Sequence, residues 1–245
     1  MLTASSLGTN IVIVRVGRAG AMVNFSVYED VIRRTSAYMK NILDGPWRES
    51  QLRIINVPGF ASQAFNVYYQ WLLTGKLHTK NRVEQEDNGS SHLPFQKRQS
   101  AHKALLLELR PLKQALHLAH YLLDTDFTDT VCDALIQCTI ELQAIGSWFS
   151  SIRGNLFCME LPEGLPARQL VTDLVAWTAP PTDYAKDNTL FKQAEPEFII
   201  DVLQAVTARL GLDVKATSPL ERWETSCKYH CHGERSLCYR VKLKG

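Results

Sequence analysis

The sequence predicts an α+β protein: a small sheet flanked by helices, then a mainly helical C-terminal region that ends in a Cys/His-rich tail. Three observations carry this. Short β-branched runs bounded by glycine and proline stand within the first sixty residues. Helical apolar stripes then dominate as far as Gly211. Finally, five cysteines and histidines crowd between Cys227 and Cys238.

Each element has a local signature. Ile11–Val16 is β-branched, with Gly17 and Gly20 behind it, and Ala21–Val27 follows as the second arm of a hairpin. Tyr28–Leu43 turns helical, with Ser36 placed to cap a second short helix carrying Tyr38, Met39 and Leu43. Gly45–Pro46 stops it, and Leu52–Val57 reads as a third strand closed by Pro58–Gly59. Phe65, Tyr68, Tyr69 and Leu72 then fall at helical spacing, with Gly75 where a C-terminal cap belongs. Residues 78–103 are rich in Lys, Asn, Glu, Gln, Ser and His and keep no apolar period, so they read as a solvated insertion.

Two apolar stripes follow. Leu109, Leu112, Leu116, Ala119 and Leu123 mark one helix, and Phe127, Val131, Ala134, Leu135, Cys138 and Leu142 mark the next. The Asp124–Asp126 break between them offers a cap. Beyond Gly146 the pattern loosens. Pro166 opens a helix carrying Leu170, Val171, Leu174 and Val175, and Pro196 opens another that Gly211 ends. Residues 10–142 thus form one expected domain, interrupted by the insertion, and 143–245 a helical extension with its tail.

Composition bounds the function. A formal net charge of +2 over 245 residues provides no large basic excess to draw the chain to nucleic acid or an anionic membrane. No apolar run approaches the roughly 20 residues that span a bilayer. Six cysteines spread through a chain that is 45% hydrophobic suit free thiols in a reducing compartment, so the expected location is intracellular, in cytoplasm or nucleus. No G-x-S-x-G, P-loop, G-x-G-x-x-G after a strand or H-E-x-x-H occurs, and Cys158 has only Arg153 near it to activate a thiol. Catalysis is not expected.

The order strand-strand-helix-helix-strand-helix, then a helical pair, is the layout of a BTB/POZ domain, and the residues resemble one. VRVG with FSVYEDVIRRTSAYMKNIL, then PWRESQLRIINVPGFASQAFNVYYQWLLTGKL, then LKQALHLAHYLLDTDFTDTVCDALI are similar to successive BTB stretches. Their flavour is that of the BTB proteins abundant in filamentous fungi. The chain departs from the family at Tyr28–Glu29, where many BTB domains carry a His-Lys pair, and in the length of its insertion.

This resemblance implies a protein-binding adaptor that forms a homodimer through its first strand and helices, with Ile11, Ile13, Val31, Ile32 and Met39 as the expected interface. A stable interface of that kind buries about 800 Å² per partner. The resemblance also implies, for a subset of the family, recruitment of a cullin scaffold of ubiquitin ligases through a hydrophobic-x-Glu step. Trp47 and Glu49 stand at that position, where an aromatic can fill a pocket and a carboxylate pair beside it.

The tail leaves two readings open. Cys227, His230, His232 and Cys238 supply the four N/S ligands that zinc takes as a tetrahedron. In an extended segment His230 and His232 share a face and Cys231 points away, so Cys227 and Cys238 join them only if the chain folds back twice. The other reading is a strand-turn-strand with incidental thiols. A zinc-bearing tail that contacts nucleic acid is the alternative function, although Arg222, Lys228, Arg235, Arg240, Lys242 and Lys244 are thin for phosphate binding.

Overall fold

Alternation in β1 (Ile11–Val16) sends Val12, Val14 and Val16 fully inward, while Ile11 and Ile13 keep some exposure. β2 (Val23–Tyr28) pairs antiparallel with it, Val14 opposite Phe25. The hairpin turns at Gly17, whose φ of 112° places a hypothetical Cβ against the Ala21 carbonyl; only glycine suits it. β3 (Ile54–Val57) runs parallel to β1, Val16 opposite Val57, and the sheet order is β2-β1-β3. A parallel pair needs a crossover. Here it contains α1 (Glu29–Thr35), α2 (Ala37–Asp44) and α3 (Arg48–Leu52). The computed structural model describes residues 8–18, 20–79, 95–159, 161–180, 182, 194–212, 218–233 and 236–242.

Caps fix the helix ends. Ser36 breaks α1 from α2: its hydroxyl accepts the Met39 N–H at 3.1 Å and donates to the Leu122 carbonyl at 2.6 Å. α4 (Ser62–Thr74) ends at Gly75, left-handed at φ 68°. α5 (Phe95–Tyr121) and α6 (Thr125–Ala144) follow. Between them Asp124 caps α6 by accepting the Phe127 N–H at 3.0 Å, and it accepts the Tyr68 hydroxyl at 2.8 Å. Phe127 itself lies between the rings of Tyr68 and Trp71, with centroids 4.8 and 4.9 Å away.

Asp124 is 1% exposed, and burial pushes its carboxyl above the ordinary range. The Phe127 N–H and the Tyr68 and Thr35 hydroxyls favour the ionised form and only partly offset this. A raised folded pKa means the folded chain binds the extra proton. Its contribution is therefore fully present below the unfolded value of about 3.9 and is lost as pH rises through the raised folded value. Asp124→Asn keeps a capping oxygen and removes the titration. Urea midpoints measured from about pH 4 to 7 should fall with pH more steeply for the wild type than for the variant. Identical slopes would contradict this assignment.

The chain divides into two compact units. The first comprises residues 1–79, 110–131 and 231–245, and the second 80–109 and 132–230. They interleave, whereas the sequence suggests continuous segments at 10–142 and 143–245. In the second unit α7 (Ser151–Cys158) and α9 (Pro196–Thr207) pack against α8 (Pro166–Thr178). Arg168 ties this group together: it bonds Asp201 at 2.7 Å and the carbonyls of Cys158 and Leu161 at 3.2 and 2.9 Å. A single π turn, Ala208–Leu212, follows α9 and contains Gly211 at φ 85°.

Three expectations are corrected. Residues 95–103 of the expected insertion are the first turns of α5, and most of them are exposed, which is why no apolar period marks them. Lys97, Arg98, His102 and Lys103 therefore lie on a helix; residues 80–94 lie outside the described residues. α7 was not evident in the loose pattern after Gly146. The described part of the tail contains turns and the short helix α10 (Tyr239–Lys242), not a strand-turn-strand. Among the described residues no helix is long and apolar enough to cross a membrane.

Candidate metal centre

Two backbone turns shape the tail. The His230 N–H donates to the Cys227 carbonyl at 3.1 Å, which doubles Cys227 back on His230. The Ser236 N–H donates to the Gly233 carbonyl at 2.9 Å and returns the chain toward Cys238. The Cys238 carbonyl then accepts from Val241 at 2.9 Å and so starts α10. These are the two reversals that the spacing requires. The ligand atoms of Cys227, His230, His232 and Cys238 all lie within 4.8 Å of one another.

That set fits zinc. Tetrahedral zinc with bonds of about 2.0–2.3 Å separates its donors by roughly 3.3–3.8 Å, so the widest gap needs to close by only about 1 Å. Two thiols and two imidazoles are a common structural donor set. His230 is buried, His232 and Cys238 are half-buried, and Cys227 is exposed, which leaves one side open for an ion to enter. Cys231 is not one of these four. Its N–H donates to Asp129 Oδ1 at 2.5 Å.

The neighbourhood is acidic and comes from one face of α6. Asp126, Asp129 and Asp133, spaced three and four residues apart, share that face. Asp126 holds Lys242 at 2.7 Å, Asp129 holds the Cys231 N–H, and Asp133 Oδ1 lies 3.1 Å from His230 Nε2. On α8, Asp173 Oδ2 accepts the Tyr229 hydroxyl at 2.6 Å and Lys228 at 3.1 Å. Burial, then the Asp173 charge, pushes the Tyr229 hydroxyl well above its ordinary value, so it stays a donor. Lys228 and Lys242 are thus engaged by carboxylates of the chain itself, which lowers their use against phosphates. Asp129, Asp133 and Asp173 do not emerge from the tail pattern. The signal that could have found the first two is the three- and four-residue spacing of acids on α6, where Asp133 stands 97 residues before His230.

The other expected site residues fall elsewhere. Trp47 is the residue before α3, 59% exposed, with its ring over Gly45 so that any Cβ there would collide with the indole. Glu49 is half-buried in the first turn of that helix. The step is therefore a helix start and not an open turn. Of the expected interface, Val31, Ile32 and Met39 are at most 3% exposed and belong to the chain's own core. Ile11, 50% exposed, and the half-buried Ile13 are the two that reach the surface. Cys158 is buried, and burial pushes its thiol up to about 12, which keeps it protonated and unreactive at neutral pH.

No family model matches this chain, and no curated protein matches it.

Proposed function

We propose that this protein is a protein-interaction adaptor of the BTB/POZ type, working as a dimer in the cytoplasm or nucleus, whose C-terminal tail holds a zinc ion. The observation that carries the adaptor reading is the order of elements. Two antiparallel strands, a pair of short helices, a third strand parallel to the first, a helix and then a helical pair repeat the BTB layout, with α3 added. The gathered Cys227, His230, His232 and Cys238 support the zinc reading.

The dimer would use the hairpin surface. Ile11, Ile13, Met22 and Val23 are exposed or half-exposed apolar residues on β1, on β2 or in the turn between them, while Val31, Ile32 and Met39 are buried in the core. Light scattering at tens of micromolar is expected to give twice the chain mass for the wild type and less for Ile11→Asp. A wild-type monomer would remove the dimer. Recruitment of a cullin scaffold belongs to the same reading through exposed Trp47 and neighbouring Glu49. Equal capture of cullin by wild type, Trp47→Ala and Glu49→Ala would remove that part alone.

A further inference from the structure

We infer that Asp133 is a positioning residue for the zinc ion, and that the two histidine ligands bind through different nitrogens: His230 through Nδ1 and His232 through Nε2. This rests on the zinc reading above and extends it to the groups behind the ligands.

The geometry assigns each ring. A metal-binding imidazole offers one nitrogen to the ion and donates from the other to a carboxylate or a carbonyl, which fixes its tautomer. His230 Nε2 faces Asp133 Oδ1 at 3.1 Å, with 2% and 8% of the two side chains exposed. That nitrogen carries the proton, and Nδ1 is left to the ion. His232 is set the opposite way. Its Nδ1 lies 3.3 Å from the Gly233 carbonyl, which accepts only, so Nδ1 carries the proton there. Nε2 of His232 is shielded from solvent and is the nitrogen left for the metal.

Asp133 differs from the Gly233 carbonyl in kind. A carboxylate accepting the N–H of a ligating histidine raises the basicity of that ring and adds a negative charge behind a divalent ion. The same face of α6 holds the next residue of the tail through Asp129 and the Cys231 N–H, so His230 is presented on a clamped backbone. Neither aspartate contributes to the four-ligand set; both act through it.

The test uses the full chain, purified without a histidine tag and loaded with zinc alone. Metal content and affinity are read by mass spectrometry and by competition with a chromophoric chelator, for wild type and Asp133→Asn. The expected result is one zinc per chain in both, with affinity lower by about 10–100-fold in the variant. Nitrogen-15 NMR of the histidine rings of the zinc-loaded wild type should place the proton of His230 on Nε2 and that of His232 on Nδ1. No zinc in the wild type would overturn the metal reading itself. One zinc in both, with unchanged affinity, would overturn the role of Asp133 and leave the metal reading standing. If the variant fails to fold, the wild-type NMR decides: a His230 proton on Nδ1 overturns the inference.

Discussion

Replacing Phe127 by alanine is expected to destabilise the first unit by about 3–5 kcal/mol, a large share of a domain's usual stability of 5–15. The side chain has no exposure and fills the space between Tyr68 and Trp71. Those two rings are themselves stacked at 5.9 Å, so they cannot collapse into the gap without losing each other. Phe127 is also the first residue whose N–H the Asp124 cap satisfies. A cavity here therefore loosens the start of α6 as well as the aromatic cluster. Trp71→Phe is the control. Trp71 Nε1 is buried without a hydrogen-bond partner among the described residues, so the change removes an unsatisfied donor along with some volume, and it should cost well under the Phe127 loss. Urea unfolding followed by tryptophan fluorescence and far-UV dichroism measures both. A Phe127→Ala cost below about 1 kcal/mol would refute the packing described.

The second large effect is expected in the other unit. Gly154 lies where α7 meets α8 and α9, and a Cβ built on it would stand 2.5 Å from Val175 Cγ2 and 2.8 Å from Phe198 Cζ. Both neighbours are essentially unexposed and have no room to retreat. Alanine for glycine in a helix ordinarily gains up to about 1 kcal/mol, so a small substitution pits propensity against collision. Valine adds two methyls and resolves the contest. Gly154→Val is expected to cost about 2–3 kcal/mol by overpacking. Hydrogen exchange should show the loss in α7, α8 and α9, with α4 spared. A stabilised Gly154→Val would mean that these helices do not approach so closely.

What the sequence made legible is what local chemistry decides. Ser36, Asp124 and Gly75 end or start helices through contacts within a few residues, and each does in the structure what its type and position suggest. The run Ile11–Val16 likewise marks a strand, but its first four residues are all apolar, and only the fold shows that Val12, Val14 and Val16 point inward. Periodicity does not say what lies on the far side of an apolar residue. The resemblance makes Val31, Ile32 and Met39 interface residues, and only the fold assigns them to the core. The first turns of α5 stayed hidden because an exposed helix needs no apolar stripe. At the candidate metal centre the ligand types and their spacing were visible. The two reversals depend on backbone hydrogen bonds, and the supporting aspartates on contacts spanning about a hundred residues, neither of which a twelve-residue pattern contains.

The interleaving of the two units has a consequence for the order in which the protein can be finished during synthesis. Asp126 and Asp129 leave the ribosome long before their partners, since Cys231 is 102 residues beyond Asp129 and Lys242 is 116 beyond Asp126. At about 5–20 residues per second that is an interval of roughly 5–25 s. Throughout it the start of α6 presents carboxylates whose folded partners do not yet exist. A chain ended at residue 142 would hold that condition permanently. It would keep every strand and the aromatic cluster but lose the piece of backbone that neutralises the helix face. The first unit is thus begun by one part of the message and completed by another, with the second unit translated in between.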